Sequence, residues 1–244
     1  MAASRLPGKP LADIAGEPMI VRVMRRAEAA RIGPVLVAAA EPEIVAAVEA
    51  AGGRAVLTDP ALPSGSDRVR AALEAFDPGG RHDIIVNLQG DQPVIEPAAI
   101  ASALTPFGAS APPDIATLGA LIVEPREADD PNVVKAVVAF RTDTPGPGAC
   151  GRALYFTRAR APSGEGPLVH HIGIYAYARG ALERFVELPP SPLERRERLE
   201  QLRALEAGLS IDLVLVRDVP IAVDTPADLE RARAAVLARS GDRP

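Results

Sequence analysis

The chain has little cysteine, little lysine, no tryptophan and no surplus of positive charge, and each scarcity excludes something. Cys150 is the single cysteine among 244 residues, so neither an internal disulfide nor a cysteine-based zinc site can form. The 27 Lys and Arg are outnumbered by 32 Asp and Glu, for a net charge of −5. That balance gives no sign of the basic stripe that marks nucleic-acid binders. No apolar run approaches the roughly 20 residues needed to span a bilayer. The first ten residues lack the apolar stretch of a signal peptide. The expectation is a soluble, cytoplasmic protein with no membrane and no nucleic-acid partner. What is present, 48% hydrophobic and 24% charged residues, is enough for a packed core rather than disorder.

Of the 27 basic residues, 25 are Arg and only two, Lys9 and Lys135, are Lys. Asn occurs twice, at Asn87 and Asn132, and Gln three times, at Gln89, Gln92 and Gln201. Against such a drift toward Ala, Arg, Pro and Gly, a Lys or Gln that persists marks a position where Arg or Ala does not serve. An ammonium is a compact point charge and a guanidinium a planar fork, so a tight site distinguishes them.

Apolar spacing predicts alternating strands and helices. Helices are expected over 19–30, 43–51 (stopped by Gly52-Gly53), 66–76 with Ser66 as cap, 97–104, 192–207 and 225–238. Strands are expected over 34–38, 55–58, 83–88, 115–123, 133–140, 153–157, 173–178 and 211–216. The alternation in the first half points to a parallel sheet covered on both faces. The stretch 115–178 is richer in strands and reads as a smaller β region.

Four stretches can carry chemistry. Ser4-Arg5-Leu6-Pro7-Gly8-Lys9-Pro10 is a basic loop whose Gly lets backbone approach a ligand and whose cations suit phosphate oxygens. An ordinary surface turn explains it equally well. Ser64-Gly65-Ser66-Asp67-Arg68 opens a helix, where N–H groups and hydroxyls can meet a base or phosphate or simply cap. Asn87-Leu88-Gln89-Gly90-Asp91 stands where an apolar strand stops, the place where open α/β sheets bind ligands. Asp91 there suits Mg2+, a hard ion that takes oxygen ligands, or is a turn former beside Gly90. Asp224 precedes the Thr225-Pro226 cap of the last helix and is not needed for capping. His170 and His171 are adjacent, so on a strand they point to opposite faces. Glu194, Glu197 and Glu200 with Arg195, Arg196 and Arg198 read as a solvated helix face.

The ordered set RLPGKPL, SGSDR, VNLQGDQP, DPNVVK, ALYFTR, HIGIYAY, PPSPLERRERLEQLR and VDTPADLERAR resembles the 3-deoxy-manno-octulosonate cytidylyltransferase (CMP-KDO synthetase) family from Ser4 to about Arg233. The resemblance implies an α/β, Rossmann-like nucleotidyltransferase fold with a mixed, mostly parallel sheet and a smaller β-rich dimerisation region. It implies one domain over 1–244, with a nucleotide-binding part at about 1–110 and 205–240 and a sugar-binding and dimerisation part at about 111–204. The implied reaction joins CTP and KDO to give CMP-KDO and pyrophosphate for lipopolysaccharide assembly, with Mg2+ and a homodimer. Carried over by position, Arg5, Lys9 and Asp91 are the catalytic residues. Ser4, Arg5, Lys9, Ser64, Arg68 and Gln89 contact the nucleotide. Gln89, Arg158, His171, Tyr175, Glu200 and Gln201 contact the sugar, and Asp91 and Asp224 hold the metal.

Three departures accompany the resemblance. The family opens with a hydrophobic strand before the basic loop, where this chain has only Met1-Ala2-Ala3. The expectation is therefore a missing first strand, from a displaced start, leaving neighbouring strands with unpaired backbone groups that cost about 1–3 kcal/mol each if buried. Ala38-Ala39-Ala40 replaces the family's Ala-Thr-Asp. The segment between Arg158 and His170 is short, so a lid over the sugar is reduced. The alternatives are an enzyme for another acidic sugar and an inactive nucleotide-binding or dimerisation homologue.

Overall fold

The computed structural model describes residues 6–241. A 3-10 turn at Lys9–Leu11 leads into a minimal hairpin, β1 (Asp13–Ile14) and β2 (Glu17–Pro18). Helix α1 (Met19–Ala29) buries Met19, Ile20, Val21, Val23 and Met24 on one side. Strand β3 (Val37–Ala39), helix α2 (Pro42–Ala50) and strand β4 (Ala55–Leu57) form a βαβ unit, and the two strands run parallel. Helix α3 (Gly65–Phe76) is capped by Ser64, not by the expected Ser66, which is buried within the first turn. Ser64 alone has the extended backbone that a cap needs, and its Oγ accepts from the Asp67 N–H at 3.2 Å.

Strand β5 (Ile84–Asn87) and helix α4 (Pro97–Ser102) follow. Then come β6 (Ile115–Leu121), α5 (Pro125–Asp129), β7 (Lys135–Phe140), β8 (Cys150–Thr157) and β9 (Val169–Ala178). The last four elements before the C-terminal helix are α6 (Arg179–Glu187), α7 (Pro192–Glu197), α8 (Gln201–Glu206) and β10 (Ile211–Leu215). Helix α9 (Pro226–Gly241) starts as expected. Thr225 Oγ1 accepts from the Asp228 N–H, while the Asp228 carboxylate takes the Thr225 N–H and hydroxyl. Among the described residues no helix is long and apolar enough to cross a membrane.

These elements form two compact units. The first comprises the described residues up to Gly79, Leu88–Ala101 and those from Pro220 onward. Its core has two parts. Ile20, Val21, Met24, Val37, Ala39, Ile44 and Val48 pack α1 and α2 on β3, while Ile14, Met19, Val223, Leu229 and Ala232 pack α9 on the hairpin side. The second unit comprises Gly80–Asn87 and Ser102–Val219. Residues 80–87, 102–110 and 205–219 thus belong with the β-rich region, where β5 and β10 pair in its sheet.

The second unit holds a six-stranded sheet in the order β5-β9-β6-β10-β8-β7. The sheet is mixed, but only β6 and β10 run parallel in it, against the expectation of a mostly parallel sheet. Most of its strands come from residues 115–215, where β7 and β8 pair as an antiparallel hairpin and the long β9 runs antiparallel to β5, β6 and β7. The ten-residue β9 lies between β5 and β6 and opposes both. At the far end β7 also pairs with β9, through Lys135↔His170 and Ala136↔Val169. The sheet therefore curls into a ring of five strands. Two bulges shape it: Gly173 and Ile174 are extra where β9 passes Thr117 and Leu118, and Leu154 is extra where β8 passes Val137 and Val138.

The expected single helix over 192–207 is two helices, α7 and α8, broken at Arg198, whose φ of 57° is left-handed. The expected solvated face is also corrected. The Arg203 guanidinium folds inward, gripping the Glu194 carboxylate with Nη2 at 2.7 Å and Nε at 2.8 Å, and lies 5.1 Å over the Phe185 ring. Tertiary pairing overrides a helical pattern that contains no glycine or proline stop between Leu193 and Ala207.

Gly151 sits where β8 crosses β7, and a Cβ there would stand 2.7 Å from the Ala139 carbonyl oxygen and 2.8 Å from Val138 Cγ1. Gly151→Ala is expected to lower stability by about 1–3 kcal/mol, read as a lower urea midpoint. Gly146→Ala, at a position open to solvent, is expected to leave the midpoint nearly unchanged.

Candidate active site

In the first unit, Gly8 takes a left-handed backbone (φ 68°, ψ 17°) and starts the 3-10 turn that carries Lys9. A side chain at that φ would be strained, so glycine is the residue that lets the loop turn here. The Lys9 ammonium lies 3.1 Å from Asp91 Oδ2 and 3.0 Å from Asp224 Oδ1. The two acidic segments are tied by their backbones, because the Val223 N–H donates to the Asp91 carbonyl at 2.9 Å. Two carboxylates far apart in sequence thus share one cation. Burial alone would lower the Lys9 pKa, but the charge of Asp91 and hydrogen bonds to both carboxylates outweigh it, and the net displacement is upward. Lys9 is therefore a full cation at neutral pH.

Asp91 and Asp224 present hard oxygen atoms to a common cation position, and this donor set fits Mg2+. No cluster of three or more His, Cys, Asp or Glu suited to a metal exists among the described residues. A Mg2+ here would complete its shell with water and substrate phosphates, which is its usual habit. Asp224 is the more open of the pair, with 64% of its side chain exposed against 26% for Asp91.

Near this loop in sequence, Ser4 and Arg5 lie outside the described residues. Ser64 already uses its hydroxyl proton, which goes to Asp67 Oδ2 at 2.6 Å, so it offers a ligand a lone pair only. Arg68 donates from Nη1 to Thr58 Oγ1 and to the Asp59 carbonyl. It pairs with no carboxylate among the described residues, so its charge is not neutralised. Gln89 Oε1 reaches toward the start of α3, 3.9 Å from where a Cβ on Gly65 would stand. The structure thus brings Gln89 to the α3 entrance.

The remaining candidates lie in the second unit. His170 and His171 are inside β9 rather than ahead of it, and they face opposite sides as adjacent strand residues must. His170 Nδ1 stands 3.5 Å from Glu127. His171 is buried, edge-on to Phe156 with ring centroids 4.8 Å apart and 5.6 Å from the Tyr175 ring. Its Nε2 is 3.0 Å from Thr117 Oγ1. Burial, with a lesser push from His170, lowers the His171 pKa to about 3, so the imidazole is neutral. Burial, aided by Tyr177 and Glu200, holds the Tyr175 phenol well above its usual pKa, so it keeps its proton.

Arg158 leaves the end of β8 in a fixed pose. Its N–H donates to Glu197 Oε2 at 3.0 Å, its Nε to the Glu197 carbonyl at 2.9 Å and its Nη1 to the Pro131 carbonyl at 2.9 Å. The Arg158 carbonyl accepts from Lys135 Nζ at 2.7 Å, and the same ammonium donates to the carbonyls of Asp130 and Val133. Lys135 is wholly buried and all three of its protons are used. Glu197, expected on a solvated face, instead accepts from Thr157 Oγ1 and the Arg158 N–H. The Arg158 guanidinium touches only neutral oxygens, so it retains a charge for an anionic group.

Glu200 stands 3.5 Å from Arg203. Gln201 is buried, and its Nε2 has no hydrogen-bond partner among the described residues. A buried amide N–H left without an acceptor is costly, so an acceptor supplied by a bound molecule would be stabilising there. The sequence reading missed three supporting residues: Lys135 was marked only by rarity, Glu197 was misplaced, and Thr117 was not singled out. Thr117 had a signal, as the one polar side chain in the apolar run Ile115–Leu121.

Residues 1–211 match the family model described as cytidylyltransferase. A 3-deoxy-manno-octulosonate cytidylyltransferase from Rhodospirillum centenum is 63% identical over 247 residues, covering 100% of this chain and 93% of the relative. One of the same name from Methylorubrum populi is 62% identical, covering 98% and 94%. A solved structure of CMP:2-keto-3-deoxy-manno-octonic acid synthetase complexed with CTP is 39% identical, with a TM-score of 0.85 over 97% of this chain and 94% of that one. A nucleotidyl transferase from Methanothermobacter thermautotroptrophicus, 16% identical with a TM-score of 0.58, shares the fold. With full-length identity of this order to relatives of one name, the chain belongs to the 3-deoxy-manno-octulosonate cytidylyltransferase family.

Proposed function

We propose that the chain transfers the cytidylyl group of CTP to KDO, releasing pyrophosphate. The observation that carries this reading is the convergence of Lys9, Asp91 and Asp224 on one point. In the reaction the KDO 2-hydroxyl oxygen bonds to the α-phosphorus as the bond to pyrophosphate breaks. Positioning and charge neutralisation supply most of what such a step needs. Lys9 offers its ammonium to the triphosphate, and Arg68 holds a second unneutralised cation in the same unit. Asp91 and Asp224 would hold Mg2+. When bound, that ion would offset phosphate charge and ease ionisation of the attacking hydroxyl.

On the sugar side, Arg158 is the cation for the KDO carboxylate. Its guanidinium is fixed by Glu197 and Pro131, so little freedom is lost on binding. Tyr175 donates a proton, the Gln201 amide gains the acceptor it lacks, and Glu200 accepts from hydroxyls. We further propose a homodimer acting in the cytoplasm and feeding lipopolysaccharide assembly, with Leu154, exposed at the β8 bulge, as apolar surface for the pairing. The retained Lys9–carboxylate cluster speaks against an inactive homologue.

Pyrophosphate release from CTP and KDO tests the reading. Asp91→Asn is expected to reduce turnover at least about 100-fold with an unchanged far-UV circular dichroism spectrum. Near-normal release by this variant at limiting Mg2+ would refute the metal role, and preference for another acidic sugar would redirect the substrate assignment.

His171 gives a pH prediction. Unfolded, it binds a proton below about 6.5, whereas folded it resists until about 3. The unfolded state therefore holds more protons between these values, and stability falls as pH drops from about 6.5 toward 3. The slope from this group is about 1.4 kcal/mol per pH unit. His171→Gln is expected to flatten that part of the stability profile, measured by urea unfolding from pH 7 to pH 4.

A further inference from the structure

Thr117 is fully buried in β6, opposite Tyr175 and next to the β9 bulge. The bulge turns two carbonyls onto its hydroxyl: Ile174 O at 2.7 Å and Ile172 O at 3.3 Å. The third neighbour of the hydroxyl is His171 Nε2 at 3.0 Å. A threonine hydroxyl has one proton and can accept through its lone pairs. If that proton went to the imidazole, Oγ1 would face the Ile174 carbonyl at 2.7 Å with no hydrogen between two electron-rich oxygens. A 2.7 Å contact is the normal length of an O–H···O bond, so the proton belongs to Ile174 O. Oγ1 must then accept from His171, and Nε2 must carry the hydrogen.

We infer that Thr117 is a positioning residue that fixes His171 as the Nε2–H tautomer, leaving Nδ1 as an acceptor that selects a substrate hydroxyl. The claim rests on the sugar-binding reading of His171 for its consequence, though not for its geometry. Nδ1 has no hydrogen-bond partner among the described residues. A neutral ring with a lone pair at Nδ1 repels a carboxylate and accepts an O–H. The pocket thus separates its tasks: Arg158 takes the anion and His171 takes a hydroxyl. The bulge is part of the device, since a regular ladder would not aim the carbonyls of both Ile172 and Ile174 at one side chain. The low basicity of the buried ring agrees with this assignment.

The test has two arms that do not depend on each other. The chain has three histidines, so 15N-labelled protein gives three ring spin systems, and His171→Gln assigns one of them. Long-range 1H–15N spectra of the free protein are expected to show His171 as neutral Nε2–H. Thr117→Val, nearly the same shape without the hydroxyl, is expected to mix the tautomers. Thr117→Ser is expected to restore the wild-type pattern. In the kinetic arm, Thr117→Val is expected to raise KM for KDO roughly tenfold, the size of one lost hydrogen bond, with KM for CTP unchanged and Thr117→Ser close to wild type. An Nδ1–H tautomer in the wild-type protein overturns the proposal, as does a Thr117→Val protein with the tautomer and KM unchanged. If KDO is not turned over at all, the substrate reading fails while the spectra still decide the tautomer.

Discussion

One ammonium between two carboxylates organises the first unit. Without Lys9, Asp91 and Asp224 would bring like charges close together with nothing between them, and the backbone link from Val223 to Asp91 would hold them in that unfavourable arrangement. The cation makes the convergence tolerable in the absence of any ligand. It also explains why a lysine persists in a chain that otherwise uses arginine. A point charge fits between two oxygen atoms at 3.0 and 3.1 Å, whereas a planar fork would spread them.

The second unit works by the opposite means. Its candidate residues are ionisable groups kept neutral or saturated with carbonyl oxygens. His171 and Tyr175 are held uncharged by burial, and Lys135 spends its three protons on backbone. Arg158 is left as a cation whose guanidinium pairs with no carboxylate among the described residues. A guanidinium held on carbonyl oxygens suits recognition of a single acidic group among many hydroxyls. The five-stranded ring supplies the rigidity, since Lys135 stands opposite both Thr157 and His170 and joins the strands that carry Arg158 and His171.

Much of this was legible in the sequence where the signal is local. α1 and α2, the strand ending at Asn87 and the Thr225 cap follow from apolar spacing and capping chemistry. Local signals failed where distant residues decide. Nothing between Leu193 and Ala207 announces a break, yet Arg198 takes a left-handed backbone, and across that break Arg203 grips Glu194. Helix α6 begins directly after β9 with no turn residue except Gly180, so it was not read. The beginning of β9 was missed because His170 and His171 are weak strand formers, held there by pairing with β6 and β7. Local signals mark Lys9, Asp91 and Asp224 as candidates, and the resemblance adds the roles proposed for them. Their meeting could not have come from spacing, because the Ser102–Val219 part of the second unit intervenes between the two aspartates.

That interleaving bears on synthesis. The first unit is completed by the segment from Pro220 onward, and the ring of the second awaits β10 at Ile211–Leu215. A ribosome that has reached the end of β9 has therefore finished neither half. The nascent chain must carry open sheet edges and unburied apolar faces until β10 and the segment from Pro220 onward emerge, a state that invites chaperone custody. Asp224 joins a lysine that left the ribosome 215 residues before it.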